Sequence, residues 1–159
     1  MDGRDLDQDP LVQLRSWLRE AENALARPHA MTLATATPDG RPSARVVLLR
    51  GPDEHGVTFF TNRESRKGEE LEANPWAAAV LHWWELGRQV RLEGRVEPTT
   101  DAESLEYWRT RPRGSQIAAW ASRQSRPLTG RSELDARVAE LSESFAGEDV
   151  PLPPFWGGY

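Results

Sequence analysis

Lys67 is the only lysine among the twenty basic residues of this 159-residue chain, and it directly follows Arg66 in the run Thr61-Asn62-Arg63-Glu64-Ser65-Arg66-Lys67-Gly68. The preceding Val57-Thr58-Phe59-Phe60 reads as a strand, and Glu69-Glu70-Leu71-Glu72 continues a helix for which Ser65 is a good N-cap. Cations in a first helical turn oppose the macrodipole, by roughly a few tenths of a kcal/mol each. They are at home there when an anion occupies the helix start, whose N–H groups favour phosphate above all. The same residues are equally consistent with a solvated basic turn balanced by Glu64, Glu69 and Glu70.

A second grouping lies downstream. Tyr107 and Arg111 are four apart on one expected helix, hence on one face, and Ser115 follows just beyond Pro112. A tyrosine, an arginine and a serine can converge on a phosphate through charge-assisted hydrogen bonds; the alternative is an ordinary surface pair. Arg45 and Arg50 flank the aliphatic run Val46-Val47-Leu48-Leu49, either as the wet ends of a strand or as further cations for an anion. Gln124-Ser125 reads equally well as part of a plain polar loop. His29, His55 and His82 have no metal-ligand spacing, and no nucleophile elbow, zincin motif, Walker loop or carboxylate pair is present. No catalytic side chain and no metal site emerge. Two basic, hydroxyl-rich groupings, Arg45 with Arg66 and Lys67, and Tyr107 with Arg111 and Ser115, suggest a phosphorylated cofactor facing a phosphorylated substrate.

The positioning elements follow from periodicity. Asp9-Pro10 opens an amphipathic helix through Leu11, Leu14, Leu18, Ala21 and Leu25, ending near Pro28. Strands are expected at Ala30 to Thr37, Ser43 to Arg50 and Val57 to Thr61, joined by turns at Pro38-Asp39-Gly40 and Asp53-Glu54-His55-Gly56. The continuous run Val46 to Leu49 implies burial on both faces. After the helix from Ser65, strands are expected at Trp76 to Trp83 and Arg88 to Glu97. Thr100 and Glu103 form a capping-box pattern before the helix of Tyr107, Trp108 and Arg111. Shorter helices are expected from about Gly114 to Ser122 and from Ser132, followed by an extended apolar tail, Val150 to Tyr159. This order implies an antiparallel meander closing into a small barrel with flanking helices, one domain over residues 1–159, with 1–8 flexible. A dinucleotide-binding fold is disfavoured, since no G-x-G-x-x-G is present.

The bulk numbers narrow the setting. Seven Trp and four Phe supply core volume, no cysteine is present, and no apolar run is long enough to span a bilayer. A disulfide scaffold is excluded, and a cytoplasmic location is the natural expectation. The net charge of −5 argues against a nucleic-acid partner.

Taken in order, Arg45-Val46-Val47-Leu48-Leu49-Arg50, Phe59-Phe60-Thr61-Asn62, Ser65-Arg66-Lys67, Arg88-Gln89-Val90, Tyr107 with Arg111 to Gln116, Gln124-Ser125 and Pro151 to Gly158 resemble the pyridoxamine (pyridoxine) 5′-phosphate oxidase family over nearly the whole chain. The resemblance implies an α+β, mainly β split barrel and a homodimer with FMN in the cleft between subunits. It implies that Arg45, Arg66, Lys67 and Ser125 hold the FMN phosphate, that Phe60, Thr61, Gln89 and Gln124 complete the flavin site, and that Val46 to Leu49 run along the flavin. Arg50, Tyr107, Arg111 and Ser115 would take the phosphate of pyridoxamine or pyridoxine 5′-phosphate, oxidised to pyridoxal 5′-phosphate with dioxygen as acceptor.

Three departures stand beside the resemblance. The family usually has lysine at the position of Arg50, and Arg is larger and forked. The family's N-terminal arm has no counterpart before Asp5. Its final strands, with a tryptophan and an R-x-H-x-R motif, lie beyond the point where this sequence stops at Tyr159. The expectations are a truncated chain or a naturally short homologue that binds FMN or pyridoxal phosphate with weak or no turnover. Truncation is favoured, because a missing strand pair would leave Phe155 and Trp156 exposed beside an unpaired edge.

Overall fold

A computed structural model describes residues 6–159 of the chain. In chain order the elements are α1 (Pro10–Ala24), β1 (Ala30–Ala36), β2 (Pro42–Leu48), β3 (Arg50–Asp53), β4 (Gly56–Thr58), β5 (Phe60–Asn62), α2 (Arg66–Ala73), β6 (Trp76–Trp83), a 3-10 turn (Trp84–Leu86), β7 (Arg88–Arg95), α3 (Asp101–Thr110), α4 (Arg113–Ala121), α5 (Arg131–Ser144) and β8 (Trp156–Gly158). They fall into two compact units interleaved along the sequence. The first runs to Phe59 and resumes at Asn74–Val96; the second comprises Phe60–Ala73 and Glu97–Tyr159.

In the first unit, the Asp9 side chain caps α1 by accepting from the N–H groups of Leu11 and Val12, with Pro10 in the first turn. The apolar stripe expected from the spacing buries Leu14, Leu18 and Ala21. Four strands form an antiparallel sheet in the order β2-β1-β6-β7. The register aligns Arg45 with Leu33, Leu33 with Ala79 and Ala79 with Leu92. That row shares a face with Met31, Thr35, Leu81 and Trp83, all buried. The opposite face carries Val46, Thr32, Val80 and Arg91 in one row.

The run Val46 to Leu49 is not buried on both faces as expected. It lies in the edge strand β2, and Val46 and Leu48 are 65% and 48% exposed. Leu49 ends the run between β2 and β3, where its N–H donates to the His29 carbonyl and its side chain is fully buried. The run is thus divided between an edge strand and the junction that follows it, which a hydrophobicity pattern alone does not separate.

In the second unit, β5 pairs antiparallel with β8, Phe60 opposite Gly158 and Asn62 opposite Trp156. Thr100 and Glu103 form the expected capping box at the start of α3. Arg111 is the C-cap of α3 and already extended, with ψ of 139°, rather than lying on the helix with Tyr107. Pro112 accounts for this, since a residue preceding proline is disfavoured in the helical region. The core of this unit is Trp108, Ile117, Val150 and Trp156, with Trp120, Val138, Leu141 and Phe145 packed against it. The expected exposure of Phe155 and Trp156 is therefore corrected. Trp156 is 5% exposed, Phe155 is half-buried, and pairing with β5 and packing on Trp108 together cover the segment.

Of the expected flexible stretch 1–8, residues 1–5 lie outside the described residues. Asp7 donates its N–H to Gln13 Oε1 at 2.7 Å. Among the described residues no helix is long and apolar enough to cross a membrane.

Candidate functional site

Lys67 is the most informative placement. Its side chain is buried, at 6% exposure, and Nζ donates to Thr61 Oγ1 (3.0 Å), Ser65 Oγ (2.9 Å) and Gln124 Oε1 (2.6 Å). An ammonium has three donors, and three oxygens receive them, which is what its removal from water requires. Arg66 is largely exposed and pairs with Glu70 across one helical turn at 2.8 Å. The solvated-turn reading fails for Lys67, which is buried. Ser65 starts the helix by accepting the Glu69 N–H on its carbonyl, while its hydroxyl donates to the Asn62 carbonyl at 2.6 Å.

Two contacts tie the loop after α4 to this helix start. Gln124 Oε1 accepts from both Lys67 and Thr61 Oγ1, the latter at 3.1 Å, and Arg126 pairs with Glu69 at 2.5 Å. Between them, Ser125 adopts φ of 67°, the one positive value at a non-glycine position among the described residues. A left-handed serine costs about 1–3 kcal/mol and is held by its surroundings, a pattern that concentrates at ligand sites. Lys67, Thr61 and Gln124 are thus brought together, with Arg66 and Ser125 next to them along the chain.

Beside this cluster is a cavity of about 280 Å³ lined by Asn62, Arg111, Ser115, Gln124 and Trp156 together with small residues of α4 and Ser122. Arg111 Nη2 donates to the Ser115 carbonyl at 2.9 Å. Its guanidinium carbon lies 4.8 Å from the ring centroid of Trp156 and 5.5 Å from that of Trp108. Two of the four expected substrate-phosphate residues therefore share a cavity wall with Gln124. Tyr107 does not line it; its ring stacks on Phe60 at 4.1 Å between centroids.

Sequence reasoning passed over Arg63, Asn62 and Trp156. Arg63 Nη2 donates to the carbonyls of Thr99 (3.1 Å) and Gly158 (3.3 Å), and its backbone N–H donates to Phe155. A Cβ on Gly157 would lie 2.5 Å from the Arg63 guanidinium carbon, and one on Gly68 1.9 Å from the Arg63 carbonyl oxygen. Consecutive glycines after a tryptophan were the available signal, since glycine marks close approach of other atoms to a backbone.

The remaining expected residues belong to the first unit. Arg45 donates to Thr35 Oγ1 (2.6 Å), to the Leu33 carbonyl (3.3 Å) and to Ser43 Oγ, on the buried face of the sheet. Gln89, opposite His82 in β7, lies on the other face with Val46 and Leu48. Val47 shares the face of Arg45, and Arg50 opens β3 opposite Thr58, its Nη1 on the Leu49 carbonyl at 3.2 Å. A shallow apolar hollow of about 560 Å³ on β1, β6 and β7 is lined by none of the expected site residues.

A family model described as pyridoxamine 5′-phosphate oxidase matches residues 18–145. The chain belongs to that family. It is 58% identical to the pyridoxine/pyridoxamine 5′-phosphate oxidase of Rubrobacter xylanophilus over 154 residues, 96% of this chain and 71% of the relative. Among solved structures it is similar to PhzG from Burkholderia lata 383 in complex with tetrahydrophenazine-1-carboxylic acid, at 38% identity and a TM-score of 0.91, covering 98% of this chain and 77% of that one. It also matches a pyridoxamine 5′-phosphate oxidase-related, FMN binding protein from Nostoc punctiforme PCC 73102, at 17% identity and a TM-score of 0.73, covering 96% and 80%.

This pyridoxamine 5′-phosphate oxidase family member has the mixed α/β architecture with antiparallel sheets that the sequence led us to expect, similar to the FMN-binding split barrels. Within the family fold, the start of α2 supplies the buried cation and α4 with the segment before it supplies the cavity wall.

Proposed function

We propose that the protein is an FMN-dependent oxidase that converts pyridoxamine or pyridoxine 5′-phosphate to pyridoxal 5′-phosphate, with dioxygen as electron acceptor. One observation carries this reading. A cavity faced by Arg111 and Ser115 shares Gln124 with the buried Lys67 cluster, so an anion-binding wall and a cation at a helix start stand side by side. The names of relatives such as the Rubrobacter enzyme support the substrate class.

The residues fit a phosphorylated flavin on the geometry of one oxygen. Lys67 Nζ and Thr61 Oγ1 already converge on Gln124 Oε1, a neutral oxygen that stands where an oxygen of an anion can be received. In the second unit we assign Arg66, Lys67 and Ser125 to the FMN phosphate and Phe60, Thr61 and Gln124 to the rest of the flavin. In the first unit we assign Arg45, Gln89 and the backbone of Val46 to Leu49. Bound FMN supplies two-electron oxidation with dioxygen as terminal acceptor. Arg111, Ser115, Tyr107 and Arg50 bind and orient the substrate phosphate, by charge-assisted hydrogen bonds in the case of the two arginines.

Two features of the first unit support a homodimer. Arg45 and Gln89 stand on opposite faces and on the two edge strands of one four-stranded sheet, so a single cofactor meeting both side chains draws them from different copies. The exposed Val46 and Leu48 give a second copy an apolar strip to cover. The cysteine-free composition supports a cytoplasmic setting.

The test is anaerobic addition of pyridoxamine 5′-phosphate to FMN-loaded protein. Bleaching of the flavin absorbance is expected, with recovery and peroxide on admitting air. Protein that takes up no FMN, or a flavin that stays yellow, overturns the reading. The similarity to PhzG supports a second reading, oxidation of a partly reduced aromatic carboxylic acid. Bleaching by tetrahydrophenazine-1-carboxylic acid and not by pyridoxamine 5′-phosphate would transfer the assignment to it.

A further inference from the structure

Arg111 is the cavity's cation, and the aromatic ring nearest its guanidinium comes from a distant strand. Its guanidinium carbon lies over the Trp156 ring at 4.8 Å, and the Trp108 indole, edge-on to Trp156 at 65°, lies 5.5 Å away. Cation–π attraction is strongest over tryptophan and grows when the pair is removed from water, and Trp156 is 5% exposed. Trp156 is itself braced. Its ring lies nearly parallel to Phe60 (5.5 Å, 11°) and Tyr107 (6.1 Å, 6°), and β8 is pinned by the Arg63 guanidinium on Gly158. The arginine side chain loses much rotamer freedom on binding an anion, and a ring beneath it removes part of that cost beforehand.

We propose that Trp156 is a positioning residue for the anion-binding Arg111: its indole face presets the guanidinium in the cavity wall, so that a phosphorylated ligand is bound more tightly than its unphosphorylated counterpart. This rests on the proposed function for its choice of ligand, and concerns an effect transmitted through Arg111 rather than contact with the reacting atoms. Gly157 belongs to the same device, because any side chain there would collide with the Arg63 guanidinium that fixes the strand.

The experiment measures binding of pyridoxal 5′-phosphate and of pyridoxal to the FMN-loaded protein, with no turnover required. Trp156→Phe keeps a ring face of smaller attraction; Trp156→Leu removes it. The expected result is that Trp156→Phe weakens pyridoxal 5′-phosphate by roughly threefold and Trp156→Leu by about tenfold, with pyridoxal changed less than about twofold. In an Arg111→Gln background the same substitutions have no further effect on the preference for the phosphorylated ligand. If Trp156→Leu does not fold, the Trp156→Phe series alone decides. Equal losses for both ligands, or an unchanged effect without Arg111, overturn the inference and leave Trp156 as core packing. Wild-type protein that prefers neither ligand overturns the substrate reading and this inference together; a phosphate preference undiminished in Trp156→Phe and Trp156→Leu overturns the inference alone.

Discussion

The ammonium of Lys67 and the amide oxygen of Gln124 lie 2.6 Å apart although 57 positions separate them in sequence. A cation at the start of α2 and a loop that follows α4 are thereby made one polar cluster, with Thr61 Oγ1 as its third member. The closure is local to the second unit, and it gives Lys67 a structural role beside the cofactor-binding role proposed for it.

Replacing Lys67 by Met separates those two roles. The loss leaves the partner oxygens of Thr61, Ser65 and Gln124 short of a donor, an expected cost of about 1–3 kcal/mol. Urea denaturation of the FMN-free protein reads that cost. FMN affinity, read by flavin fluorescence quenching, is expected to fall by about 10- to 100-fold. Unchanged affinity would remove Lys67 from the cofactor site.

Gly68→Ala is expected to destabilise despite alanine's helix propensity. In a solvated helix the exchange gains about 1 kcal/mol. Here the new Cβ would sit 1.9 Å from the backbone carbonyl oxygen of Arg63, which is no flexible neighbour. Overpacking of this kind costs about 1–3 kcal/mol or more. A melting temperature equal to or above that of wild type would contradict the close approach.

Thr100→Ala removes the side-chain half of the capping box at α3, in which Thr100 Oγ1 accepts the Glu103 N–H and donates to Glu103 Oε2; the backbone N–H of residue 100 keeps its bond to Glu103 Oε2. A loss of about 1 kcal/mol is expected, and Thr100→Ser is expected to recover most of it. Chemical denaturation of the two variants beside wild type checks the pair.

Burial, opposed in part by the Arg63 charge and assisted by Glu72, raises the pKa of the Tyr159 phenol above its ordinary value. A group whose folded-state pKa is raised contributes stability that is full below the unfolded value, about 10 for tyrosine, and is lost as pH climbs through the folded one. Stability is therefore expected to decline above about pH 10 more steeply in wild type than in Tyr159→Phe. Denaturation midpoints of the two proteins that run parallel from pH 8 to 11 would refute the linkage.

Much of the fold was legible because its elements carry their own signals. Asp9-Pro10 started α1 where expected, and Thr100 with Glu103 started α3. Alternation along Arg88–Arg95 placed Val90 and Leu92 on one face and Gln89 and Arg91 on the other. The turn from Asp53 to Gly56 was expected, but β3 was missed because Arg50-Gly51-Pro52-Asp53 has the composition of a turn and only four residues in its strand. At the site, the separation of Arg111 from its helix was written in Pro112. The burial of Lys67 was not legible, because no local pattern foretells a partner as far along the chain as Gln124. Nor was the stack on Trp156, which depends on β8 pairing with β5.

The interleaving of the two units has a consequence for biosynthesis. A nascent chain acquires the last residue of the first unit at Val96, after Phe60–Ala73 has already been made and belongs elsewhere. Through the translation of α3, α4 and α5, β5 carries a strand edge whose partner β8 does not yet exist. Such an edge is an aggregation hazard until it is paired. Its brevity, three residues ending in the polar Thr61 and Asn62, keeps that hazard small on the ribosome.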